Sequence, residues 1–167
     1  MSDPAEIERA RSFFTTMPSE VFDLWIVPGI ECHGWTFTST SQSVEETRWK
    51  GFFGFQPLRF WTNARWGHVS IPASVRTFHP MTRTRIIAII DTAHGVQTPM
   101  ANVRDSKKRF WACASFIRKH AAIPFSVVAT PTQEGLDLVD GHHRLAAFVD
   151  LGFADKASIP AWLALDP

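Results

Sequence analysis

One segment constrains this chain more than any other. Leu136 to Val139 reads as a strand, Asp140-Gly141-His142-His143-Arg144 breaks it, and Leu145, Phe148 and Val149 follow as the apolar face of a helix. Gly152 closes that helix at the position where glycine is favoured. Gly141 permits the tight turn and a close approach of ligand to backbone. The N–H groups of Gly141, His142 and His143 then point out of a helix N-terminus, where the dipole favours an anion. Arg144 adds a planar fork of donors matched to phosphate oxygens. Asp140 sets one carboxylate beside this positive nest, suited to holding Mg²⁺ or orienting an attacking oxygen. Adjacent histidines diverge on a helix, so one faces a ligand while the other packs or caps. The plainer alternative is a common Asp-Gly turn followed by an exposed first turn with no chemistry.

The rest of the chain supplies the elements around this segment. Asp3 caps a first helix, with Pro4 at its first position, Glu6 placed to reach back, and Ile7, Ala10 and Phe14 along one stripe. Pro18-Ser19-Glu20 starts a second, carrying Phe22, Trp25 and Ile26, which Pro28-Gly29 is expected to stop. Residues 31–80, rich in Trp and Phe and punctuated by Gly and Pro, read as short strands and turns. Residues 84–91 are an Ile-rich apolar run expected to be a buried strand. Asp105-Ser106 caps a helix whose apolar face is Phe110, Cys113, Ala114, Ile117 and Ala121, and Pro124 is expected to end it. Phe125–Thr130 and Leu136–Val139 form a hairpin through a five-residue loop, Pro131 to Gly135, and Ile159–Leu165 is a last strand.

The segment resembles the phosphate-binding signature of the ParB/sulfiredoxin superfamily. Ser115-Phe116-Ile117-Arg118, the Pro-led strand from Ile123-Pro124, the hairpin, the motif helix and Ile159-Pro160-Ala161 follow in that family's order over roughly residues 84–165. The resemblance implies an α+β fold, a small mixed sheet flanked by helices and enlarged by an aromatic-rich N-terminal part. The chain then reads as a single domain, 1–167, with 1–83 as elaboration and 84–167 as core. Sulfiredoxins carry a catalytic Cys where this chain has His142, which argues against sulfinic-acid reduction, and no helix-turn-helix of the partition proteins follows the core. A free-serine kinase branch has a nearly identical Asp-Gly-His-His-Arg, and other members are nucleases. The resemblance extends to the fertility-inhibition factors of conjugative plasmids. It implies ATP binding and hydrolysis with Mg²⁺, DNase activity, and DNA as a partner. In this reading Gly141, His142, His143 and Arg144 hold phosphate, Asp140, His143 and Arg144 are catalytic, and Asp140 is the metal ligand. It also implies a cytoplasmic protein, peripheral to the inner face of the membrane through a coupling component of a type IV secretion or transfer system. The alternatives are an interaction protein that blocks such a partner, or a DNA-binding module without turnover.

Charge placement supports a polyanion partner. Residues 32–119 hold thirteen basic and four acidic side chains, net +9, between end segments that each hold two basic and six acidic, net −4. Lys107, Lys108, Arg109 and Trp111 combine charge with a stacking ring and are candidate DNA contacts, with Arg83, Arg85 and Arg104 as extensions. A solvated helix face accounts for the same residues. Asp91 and Asp105 are candidate second metal carboxylates, or simply strand-end and capping residues. His33, His68, His79, His94 and His120 are single and read as surface or turn positions. Cys113 reads as packing, and Cys32 has no role in view; two cysteines make no disulfide framework or Cys-x-x-Cys pair. The aliphatic run 86–90 is far below the roughly 20 residues that span a bilayer, and the first residues lack the pattern of a signal peptide.

Overall fold

The computed structural model describes residues 3–37, 49, 51–103, 105–155 and 157–166. It is an α+β protein that divides into two compact units, residues 1–67 with 164–167 and residues 68–163.

The first unit is helical with an aromatic core. Helix α1 (Pro4–Phe13) starts as its sequence requires, with Asp3 Oδ1 accepting from the Ala5 N–H at 2.9 Å. Helix α2 (Ser19–Val21), a π turn (Phe22–Ile26) and α3 (Val27–His33) run on as one rod. Pro28-Gly29 therefore does not stop the second helix. The Val27 N–H reaches back five residues to the Phe22 carbonyl, and this widened turn takes up a proline that has no N–H to give. Gly29 serves packing instead: a Cβ there would lie 2.6 Å from the Phe52 ring. Beyond α3 the expected strands are largely absent among the described residues. Helix α4 (Leu58–Asn63) is followed by strand β1 (Arg65–Pro72), while 38–48 and 50 lie outside them. The aromatics condense into one cluster, with Trp25 stacked on Phe52 at 5.4 Å and Trp49 on Phe53 at 5.7 Å. Trp49 Nε1 donates to the Gly34 carbonyl and Trp61 Nε1 to that of Phe53, so these buried indoles meet the need for an acceptor.

The second unit holds the motif. Helix α5 (Pro80–Ala93) occupies the Ile-rich run expected to be a strand. Thr82, Ile86, Ile89 and Ala93 are buried at helical spacing while Ile87 is 56% exposed, a pattern no strand would give. Its start signal lies upstream of the run: His79 caps the Met81 N–H through Nδ1, and Pro80 takes the first helical position. The expected boundary at 83/84 consequently falls inside a helix, and the unit that carries the motif begins at His68. Helix α6 (Ser106–His120) buries Phe110, Ala114 and Ile117 of its predicted apolar face and half-buries Cys113, but Ala121, exposed and in left-handed conformation, ends it three residues before Pro124. Strands β2 (Val127–Thr132) and β3 (Gly135–Asp140) pair antiparallel across a two-residue turn, shorter than the five-residue loop expected. Helix α7 (His142–Asp150) and β4 (Ser158–Leu165) complete the chain.

The sheet order is β1-β4-β2-β3, with β4 parallel to β2. Its core joins Phe78, Ile86 and Ile89 to Phe110, Ile117, Leu145 and Phe148. Thr82 fastens α5 to β3: its hydroxyl accepts from the Leu138 N–H at 3.2 Å and lies 3.3 Å from the Asp137 carboxylate.

Candidate functional site

The motif sits where β3 gives way to α7. Residues on β2 pair in steps of one while their partners skip from Leu138 to Asp140, so a bulge falls at Val139. A bulge bends the strand and re-aims the side chain that follows it, here Asp140. Gly141 then turns the chain with φ +97°, and a Cβ there would meet Val127 Cγ1 at 2.6 Å. No other residue fits both the torsion and the space. The first bond within the helix runs from the Leu145 N–H to the Gly141 carbonyl, so the N–H groups of His142, His143 and Arg144 have no acceptor inside α7.

Side chains from two other helices surround this terminus. Ser106, buried at the start of α6, places Oγ 2.9 Å from His143 Nε2. Arg85 of α5 brings Nη1 to 3.5 Å from His142 Nε2, a long contact in which the imidazole nitrogen can only accept. Arg144 folds back onto Asp140 four residues earlier, and both side chains of this ion pair are largely shielded from solvent. The two histidines thus diverge as expected, with His143 held by Ser106 and His142 against Arg85.

Electrostatics follow from this crowding. Burial, and then the cations Arg109 and Arg144, push the His143 pKa from its ordinary 6.5 down to about 4. Burial followed by Arg85, His143, Arg144 and Arg109 holds His142 well below that ordinary value as well. Both imidazoles are therefore neutral at pH 7, and the positive charge of the site belongs to arginines. Burial raises the Cys113 thiol, against the opposing pull of Arg144 and Arg109. It is a half-buried packing residue at the edge of this field, not a thiolate nucleophile.

Of the four expected DNA contacts, Lys107, Lys108 and Arg109 are exposed on α6 and Trp111 is half-buried. The charge of Arg109 reaches the motif, where it lowers the pKa of both histidines. Lys107 and Lys108 line an open groove beside the start of α6. Trp111 meets His94 in a T-shaped contact at 5.6 Å and carries the Arg118 guanidinium 5.6 Å from its ring centre, so its ring already has neighbours. Of the suggested extensions, Arg85 joins the site and Arg104 lies outside the described residues. Asp91 belongs to α5, and Asp105 precedes α6 with φ +58°. The single histidines are less idle than expected: His94 meets both carboxylate oxygens of Asp150 at 3.1 Å, and His68 lies 3.0 Å from Ser126 Oγ. Ser106 and Arg85 are the site residues that sequence reasoning assigned elsewhere. The spacing Ser106, Arg109, Cys113 on one helix face was the available signal for α6, and Arg85 becomes visible once 80–93 is read as a helix.

The donor set does not suit a protein-held divalent ion. Asp140 is a single carboxylate engaged by Arg144, and no group of three His, Cys, Asp or Glu side chains among the described residues is placed to hold a metal. What the arrangement does suit is a multivalent anion: helix N–H groups with no acceptor inside α7, the guanidinium groups of Arg85 and Arg144, and two uncharged imidazoles beside a glycine turn. Among the described residues no helix is long and apolar enough to cross a membrane. No family model, curated protein or solved structure matches the chain.

Proposed function

We propose that the α7 N-terminus is a phosphate site of the ParB/sulfiredoxin type, and that its ligand is a nucleotide, ATP, or the phosphates of DNA. The observation that carries this reading is the placement of Arg85, against His142, and of Arg144, against Asp140, at a helix N-terminus opened by a glycine that admits no Cβ. A phosphate arriving there competes with Asp140 for Arg144, and the exchange releases the carboxylate at the site's edge. In the hydrolytic reading, Asp140 then orients water for attack on the terminal phosphorus. The bond to the bridging oxygen breaks, and Arg144 with the backbone N–H groups stabilises charge on the phosphoryl oxygens. His143, neutral and steadied by Ser106, positions the turn. Any Mg²⁺ would enter with the nucleotide phosphates. A cytoplasmic inhibitor of conjugative DNA transfer, acting on DNA or on a transfer component, fits these ligands.

A second reading, binding without turnover, is favoured by the Asp140–Arg144 pair itself, because a carboxylate so engaged is equally a gate on the anion site. Calorimetry and steady-state hydrolysis of two variants decide between them. Arg144→Ala is expected to weaken ATP binding at least tenfold. Asp140→Asn is expected to keep affinity within about tenfold, roughly 1.4 kcal/mol, and to lose on the order of 10²-fold in turnover. Wild-type turnover in Asp140→Asn would leave the binding module. Unchanged ATP affinity in Arg144→Ala would remove the phosphate site.

A further inference from the structure

Beside the start of α6 lies an open groove of about 430 Å³ that the phosphate site does not use. Its walls include Val96 and Val103, which are 53% and 39% exposed and so leave apolar surface open to solvent. Gln97 adds an amide, and Lys107 and Lys108 set two ammonium groups against the single carboxylate of Asp105. Ser106 stands between the groove and the phosphate site: it lines the one and meets His143 of the other at 2.9 Å. Helix α5 gives the same measure, because Arg85 serves the phosphate site and Thr92 lines the groove. Residues 85 and 92 lie seven positions apart, about 10 Å along the helix, so the groove extends away from the phosphate site.

We propose that this groove binds the neighbouring nucleotide of a single-stranded phosphodiester ligand whose other phosphate rests on the α7 N-terminus. The base lies on Val96 and Val103 with its edge open to Gln97, and the linking phosphate faces Lys107 and Lys108. Its volume falls within the range of small-molecule sites, roughly 300–1,000 Å³, and suits one nucleotide unit rather than a duplex. Charge decides the occupant: two lysines beside an apolar wall match a base with its phosphate, not an apolar peptide. This inference rests on the phosphate site proposed above and extends it from a mononucleotide to a strand.

The test compares thymidine 5′-monophosphate with the 5′-phosphorylated dinucleotide pdTpdT by calorimetry. Wild type is expected to bind the dinucleotide at least tenfold more tightly. The Lys107→Ala, Lys108→Ala double variant should lose that gain while its affinity for the monophosphate stays within twofold. Its slope of log affinity against log salt for the dinucleotide should fall by about 0.7, one single-strand phosphate contact. Val96→Asp, on the other wall, should also remove the gain, which guards against a local fault in α6. Equal affinity of wild type for the two ligands overturns the groove assignment. So does an equal loss for both ligands in the double variant, which would make the groove the nucleoside end of a mononucleotide site. Failure of the phosphate site shows differently: monophosphate affinity would then be insensitive to Arg144→Ala.

Discussion

Gly141 is the residue on which the site turns. Its φ of +97° and the 2.6 Å approach of Val127 mean that an alanine there must strain the backbone and displace a buried β2 side chain. Gly141→Ala is expected to cost about 1–3 kcal/mol and to weaken phosphate binding, as read from the urea midpoint and from calorimetry. The neutral histidines set a pH dependence. His143 titrates at about 4 in the fold against an ordinary 6.5, so the unfolded chain binds its proton first. Its contribution is therefore complete above about pH 6.5 and is lost as pH falls from there to about 4. Unfolding curves across that window should show stability falling in wild type and a shallower fall in His143→Gln.

At the scale of elements, α5 separates what pattern reveals from what it hides. Five apolar residues in a row, Ile86-Ile87-Ala88-Ile89-Ile90, carry no period, so β-branching alone argued for a strand. The deciding information lay just before the run, in His79-Pro80. On this helix Ile86→Ala should cost about 2–5 kcal/mol, and Ile87→Ala should stay within about 0.5 kcal/mol; chemical denaturation of both variants checks the contrast. Thr82→Val removes the acceptor of the buried Leu138 N–H and should cost about 1–3 kcal/mol. The motif helix was legible because strand, Asp-Gly and the period of Leu145 and Phe148 all agree. The partners of its histidines were not, since Arg85 and Ser106 lie on two other helices, and their placement depends on packing that no local window contains.

At the scale of the whole molecule, the unit containing the motif needs more chain than the family-like segment supplies. Ile71, Ala73 and Phe78 belong to its core, and the first turn of α5 carries the Thr82 clasp to β3. A fragment of residues 84–167 is thus expected to lack cooperative thermal unfolding by circular dichroism where the full chain shows it. The α+β class and the order of the elements from α6 onward could be read in advance. The division near residue 67 could not, because the aromatic stretch before it gives neither a helical nor an alternating period.

The tyrosine-free aromatic core also gives the protein a divided optical signature. Trp25, Trp35, Trp49, Trp61 and Trp66 belong to the first unit, and only Trp111 and Trp162 to the second. With no tyrosine to absorb near 280 nm, emission excited there comes from indole alone. A Trp111→Phe, Trp162→Phe chain would therefore report the melting of the first unit by fluorescence, while far-ultraviolet dichroism sums over both. Displacement of the two transitions would show the units unfolding separately, without any external label.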